Sequence, residues 1–167
     1  MYENRTPEEV AQYRIADICC GSGNFLLSAF EYIVNYHIEY YRNHARENAE
    51  RRGDIYQLAG STNYILSYER KRSILKNNIF GVDIDPLAVE VSKFSLLLKA
   101  LENSSLEEAE AFHQRTNQRI LPNLDENIKN GNSLVNMAYS ILLGRQEKHL
   151  TVLVILLRHL MLKTSIR

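Results

Sequence analysis

Arg14-Ile15-Ala16-Asp17-Ile18-Cys19-Cys20-Gly21-Ser22-Gly23-Asn24-Phe25 decides the fold of this chain: a short apolar strand breaks at a Gly-Ser-Gly turn, and a helical pattern follows at once. In an α/β sheet this is the connection that cradles a nucleotide-like ligand. Gly21 and Gly23 let the backbone turn tightly and approach a ligand with no Cβ in the way. Amides at the N-terminus of the next helix then point at its polar groups. A Gly-rich turn also serves as a plain tight connection, so a second element has to agree with it.

Ile79-Phe80-Gly81-Val82-Asp83-Ile84-Asp85-Pro86 is that element, another short apolar strand that ends in acids where a helix begins. In a Rossmann-type sheet the acid at the tip of the second strand accepts hydrogen bonds from two ribose hydroxyls, and Asp83 stands at that position. Asp85 followed by Pro86 reads as an N-cap and first-turn proline for a helix running to about Leu101. The alternative is that both acids are simple caps. Asp17 and Asp83 lie 66 positions apart, against the roughly 20 of a compact dinucleotide fingerprint. A long insertion therefore sits between the strands.

The spacing predicts parallel strands near 14–20, 79–84 and 127–131, with helices near 23–50, 65–77, 86–102 and 105–118. The first strand lies between neighbours or at an open edge. Leu26, Leu27, Phe30, Ile33, Val34, His37, Ile38 and Tyr41 recur at helical spacing, a stripe that faces the sheet. His37 reads there as a packed core histidine. Thr6, Pro7 and Glu9 form a capping box for a short helix, and Ser105 with Glu108 reads as another. The insertion after Arg42 is polar and carries Arg42, Arg46, Arg51 and Arg52, read as a solvated helix end, with phosphate contact as the sharper alternative. Arg70, Lys71, Arg72 and Lys76 on the helix from Ser67 to Asn78 are expected to face water. Thr151 to Leu157 suits a fourth strand or a helix about equally.

The chain has 167 residues, 45% hydrophobic, with 20 basic and 20 acidic residues cancelling to zero formal charge. That is one folded domain, not a disordered tail. A chain that itself gripped a duplex is usually basic, since phosphate contacts supply most non-specific affinity. Cys19 and Cys20 are the two cysteines, adjacent on the expected buried strand, so neither a disulfide framework nor a metal site is expected. The N-terminus lacks a charged-then-apolar leader, which points to the cytoplasm. Leu150 to Leu162, interrupted by Arg158 and His159, is too short for a membrane span and reads as core.

Three ordered blocks resemble the adenine-specific N6 DNA methyltransferases of bacterial restriction-modification systems, in particular those that carry cutting and methylating activities in one chain. Asp17 to Phe25 is similar to the family's Asp-Pro-x-Cys-Gly-Ser-Gly-x-Phe loop, which surrounds the methionine part of S-adenosylmethionine. Asn78 to Pro86 resembles the strand whose acid holds the ribose and whose next apolar residue lies on the adenine. Leu121 to Leu134, with Asn132 and Ser133, is similar to the segment that edges the adenine pocket. Together they span about residues 6–135. The fold implied is a Rossmann-like S-adenosylmethionine-dependent methyltransferase domain, an α/β partial parallel sheet flanked by helices. Residues 1–135 form its cofactor-binding part with a helical insertion at about 42–77, and 136–167 stay unassigned.

The resemblance implies cofactor-binding roles for Asp17, Cys20, Gly21, Ser22, Gly23, Phe25, Asp83, Ile84, Asn132 and Ser133. Asp17 meets the ligand ammonium, Gly21 to Gly23 line its amino-acid portion, Asp83 holds the ribose, Ile84 packs on adenine and Asn132 meets its amino edge. S-adenosylmethionine is favoured over NAD because the loop lacks the third glycine spaced for pyrophosphate. Ile18 and Cys19 stand where the family commonly has Pro and a small residue. Asn132 replaces a common Asp, and its amide still donates and accepts. Thr6-Pro7 lies closer to the loop than the family's Thr-Pro block and reads as the helix cap. The three prolines, Pro7, Pro86 and Pro122, are never adjacent. No Asn-Pro-Pro-Tyr, Asp-Pro-Pro-Tyr or Ser-Pro-Pro-Tyr block exists to bind the target amino group and stack a flipped base. The expectation is a cofactor-binding fragment with no catalytic residues, DNA being held by parts outside it. A degenerate structural or cofactor-binding module is the alternative.

Overall fold

A computed structural model describes residues 5–58, 60–133 and the backbone of 152–154. Four parallel strands form the sheet: β1 (Arg14–Asp17), β4 (Ile79–Asp83), β5 (Ile128–Asn130) and β6 (Val152–Val154), in the order β5-β4-β1-β6. Ile15 pairs with Ile79 on one side of β1 and with Leu153 on the other, and Gly81 pairs with Ile128. Among the parallel strands alone the order is third, second, first, fourth, the Rossmann-like arrangement. The segment that read as strand or helix is a strand at Val152–Val154, and it places β1 inside the sheet. Residues 134–151 and 155–167, which include most of the apolar run to Leu162, lie outside the described residues.

Burial explains the strands. Ile79, Phe80, Gly81 and Val82 are all buried, the unbroken apolar run expected of a parallel strand covered on both faces. Helices α2 (Asn24–His44), α4 (Tyr68–Asn78) and α5 (Pro86–Leu101) pack against β1 and β4. From α2, Leu26, Phe30, Ile33, His37 and Tyr41 are buried, the sheet-facing stripe that the periodicity predicts. Gly81 has a packing reason of its own. A Cβ there would stand 2.8 Å from Leu26 Cδ1 and 3.0 Å from Cys20 Sγ, so its absence lets the start of α2 close onto β4. The caps form as expected at two places. Thr6 and Glu9 close the box on α1 (Pro7–Val10), and Asp85 accepts from Leu87 N at the start of α5.

Several expectations need correction. β1 ends at Asp17, not at residue 20, because Cys19 N–H turns back onto Asp17 Oδ1 at 3.0 Å. Cys19 is therefore exposed in the turn, while Cys20 is buried. The helix expected over 23–50 breaks at Ala45 (φ −148°, ψ 31°), and α3 (Arg46–Arg52) follows. The insertion is not wholly helical. Ile55–Gln57 (β2) and Tyr64–Leu66 (β3) form an antiparallel hairpin between α3 and α4. On α4, Lys71 is only 4% exposed and donates to Glu102 O and Ser104 Oγ. It does not face water. On α6 (Leu106–Thr116), Ser105 Oγ accepts from Glu108 N, but the Glu108 carboxylate leaves the box to accept from Tyr68 N–H and Tyr56 O–H.

Candidate functional site

The carboxyl ends of β1 and β4 meet where the two glycines turn, the place where open α/β sheets bind their ligands. Cys20 N–H donates to Val82 O at 3.0 Å, and Gly21 N–H donates to Asp83 Oδ2 at 2.7 Å. The loop after the first strand is thus tied to the acid ending the second. Gly21 (φ +53°) and Gly23 (φ +84°) both occupy the left-handed region that side chains disfavour. Gly23 also caps α2, and a Cβ on it would lie 2.3 Å from Ser92 Oγ of α5. A bare backbone here is a requirement of the geometry.

Asp83 Oδ1 accepts from Asp85 N–H at 2.9 Å. Each Asp83 oxygen therefore holds one backbone hydrogen and keeps a second lone pair for another donor. Ile84, the next residue, is 72% exposed, an apolar side chain standing clear of the fold. Asn130 Nδ2 donates to Asp83 O and Ile84 O, and Gly131 N–H donates to Asp83 O, which seats the end of β5 beside this pair. Asn132 and Ser133 follow directly, Asn132 exposed. Ser22 is exposed at the tip of the turn, whereas Phe25 packs against the core at the start of α2. The structure thus gathers Asp17, Gly21, Ser22, Gly23, Asp83 and Ile84 on one open shelf.

Cys20 belongs to the site through its backbone. Burial pushes its thiol up to about 12, with the charges of Asp17 and Asp83 adding to the effect. It stays a protonated packing group and not a nucleophile. Two residues that the sequence reading passed over hold the shelf in place. Asn127 is buried, with Nδ2 within hydrogen-bonding distance of Leu75 O, Lys76 O and Ile79 O, so it seats β5 against the end of α4. Ser92 fills the space beneath Gly23. An apolar-to-polar interruption on the buried face of α5 was the only signal for Ser92, and Asn127 offered none.

Among the described residues no cluster of His, Cys, Asp and Glu is arranged to hold a metal ion, and no helix is long and apolar enough to cross a membrane.

Strand order, glycine turn and acid-tipped second strand together define a Rossmann-like methyltransferase domain. Residues 4–153 match the family described as the MmeI DNA-methyltransferase domain, and the chain belongs to that family. It is similar to the type II restriction enzyme and methyltransferase RM.Eco57I of Escherichia coli, 39% identical over 128 residues. It is also similar, at 34% over 128 residues, to a chain of Methanocaldococcus jannaschii provisionally named as the type II restriction enzyme and methyltransferase RM.MjaORFECS2P. Each match covers 77% of this chain but only 12% and 9% of the relatives' lengths.

Proposed function

We propose that this domain binds S-adenosylmethionine on the shelf and forms the cofactor-holding part of an adenine N6 DNA methyltransferase of a restriction-modification system. The observation that carries the reading is the bond from Gly21 N–H to Asp83 Oδ2, which joins the glycine turn and the acid-tipped strand into one surface. The residues fit the ligand. Open space lies where a Cβ on Gly21 would stand, Asp83 retains acceptor capacity for a ribose diol, and exposed Ile84 offers an apolar surface for a purine. Asp17 and Asp83 give the shelf a negative field, and both act on Cys20. A cationic ammonium and sulfonium suit that field, and a dinucleotide pyrophosphate does not.

When bound, S-adenosylmethionine supplies an activated methyl group. The chain's own residues orient it: Asp17 pairs with the ammonium, Gly21, Ser22 and Gly23 line the amino-acid portion with Cys20 backbone behind them, and Asn132 with Ser133 edges the adenine. Phe25 anchors the helix under the loop. These 167 residues hold no adjacent prolines and so no Asn-Pro-Pro-Tyr block to orient a flipped adenine. We therefore assign them cofactor holding, with methyl transfer and DNA recognition belonging to a larger protein. Calorimetric titration of the chain with S-adenosylmethionine and with NAD tests the assignment. Saturable binding of the first alone supports it, and binding of neither overturns it.

A further inference from the structure

Asn130 ends β5 in register with Asp83, the last residue of β4. Its side chain makes contacts that the strand ladder does not require. Nδ2 lies 3.1 Å from Asp83 O and 3.0 Å from Ile84 O, and because both partners are carbonyls the amide nitrogen, not the oxygen, must face them. One exposed amide thus spans two consecutive peptide groups where the chain leaves the sheet for α5.

The end of the sheet is secured by other bonds. Gly131 N–H donates to Asp83 O at 2.9 Å, Gly81 N–H donates to Asn127 O at 2.9 Å, and the buried Asn127 amide ties β5 to the end of α4. The Asp83 carboxylate is fixed separately, one oxygen by Gly21 N–H and the other by Asp85 N–H. Ile84 is placed differently. It lies one residue past the end of β4 and is 72% exposed, so core packing does not hold its side chain. Isoleucine is branched at Cβ, which leaves it few χ1 rotamers. Holding its backbone therefore largely holds the side chain too.

We propose that Asn130 is a positioning residue for the nucleoside end of the cofactor: its amide fixes the Ile84 peptide, and with it the apolar surface against which the purine lies. This rests on the shelf reading given above and adds to it a residue that acts through Ile84, with no ligand contact of its own. An apolar surface already in place needs no ordering when the ligand arrives, and a looser one loses affinity by that amount. A residue needed only to keep β5 in the sheet could be replaced without loss by Val, a good strand former. Val has no hydrogen to donate to the Ile84 carbonyl.

Calorimetric titration of the 167-residue chain with S-adenosylmethionine, run as a double-mutant cycle over Asn130 and Ile84, tests the proposal. Asn130→Ala lowers the affinity about five- to tenfold, the loss expected for one or two neutral hydrogen bonds. Asn130→Val gives the same loss. Ile84→Ala weakens binding by itself, through lost apolar contact. In the Ile84→Ala background either change at Asn130 then costs about twofold or less, because the side chain it positions is gone. Wild-type affinity in Asn130→Val, or an equal loss with and without Ile84, overturns the role of Asn130 and leaves the shelf assignment standing. Failure of the wild-type chain to bind S-adenosylmethionine overturns both.

Discussion

Gly23 and Ser92 occupy space that cannot hold one more carbon: a Cβ on Gly23 would sit 2.3 Å from Ser92 Oγ, 3.1 Å from its Cβ and 3.3 Å from its Cα. The glycine is also at φ +84°, where L-residues are strained. Gly23→Ala is therefore expected to destabilise the fold by about 2 to 4 kcal/mol, from overpacking and left-handed backbone together. Adding Ser92→Gly recovers the overpacking part and leaves the backbone part. Urea unfolding of the single and double variants measures both. A double variant no more stable than Gly23→Ala sinks the steric explanation.

Asp83→Ala removes the acceptor that ties the loop and that, in the proposed site, faces the ligand. The expected loss in S-adenosylmethionine affinity is about ten- to a hundredfold, the range for a charge-assisted hydrogen bond of roughly 1.5 to 3 kcal/mol. Calorimetry against wild type decides it, and unchanged affinity removes Asp83 from the site.

His37 is buried between the edges of Tyr36 and Tyr41, and neither ring nitrogen has a hydrogen-bond partner. Burial, helped by the nearby positive charge of Arg70 and opposed by Asp54, lowers its pKa to about 4. The folded value lies below the unfolded one of about 6.5, so the unfolded chain binds more protons between those limits. Stability is then full above about pH 6.5 and falls as the pH drops towards 4. Between pH 7.5 and pH 5 the loss from this group is on the order of 2 kcal/mol. His37→Leu should flatten the stability profile over that window. An equally steep profile in the variant refutes the assignment to His37.

Asn127 places one amide against three carbonyls, and its isosteric replacement by Asp removes the donor and adds a charge facing them. Asn127→Asp is expected to cost about 3 kcal/mol or more, and Asn127→Leu less, since an apolar group leaves the carbonyls unpaired without repelling them. Chemical denaturation ranks the two. The reverse order contradicts the hydrogen-bonding role.

Tritiated-methyl incorporation into adenine-containing DNA is expected to stay at the level of a Gly21→Asp, Gly23→Asp control when the 167-residue chain is the only protein present. Positioned acceptors and an aromatic platform are what the reaction needs, and neither follows a Pro-Pro turn in this sequence. Incorporation above the control overturns the division of labour proposed here.

Local geometry made much of this chain legible before any coordinates. A Gly-Ser-Gly turn after an apolar run, an acid-tipped strand running into Asp85-Pro86, and Thr6 three residues before Glu9 each act over a few residues, where backbone sterics and capping hydrogen bonds decide the outcome. Tertiary contact decided the rest. Three-residue strands such as Ile55–Gln57 and Tyr64–Leu66 are too short to show a period of two, and they exist because they pair with each other. Lys71 reads as a solvated charge until Glu102 and Ser104, more than thirty positions along the chain, arrive to accept from it. The bond between Gly21 and Asp83 spans 62 residues. Each end is visible in the sequence, but their meeting depends on β1 and β4 lying side by side, a pairing that only the packed sheet enforces.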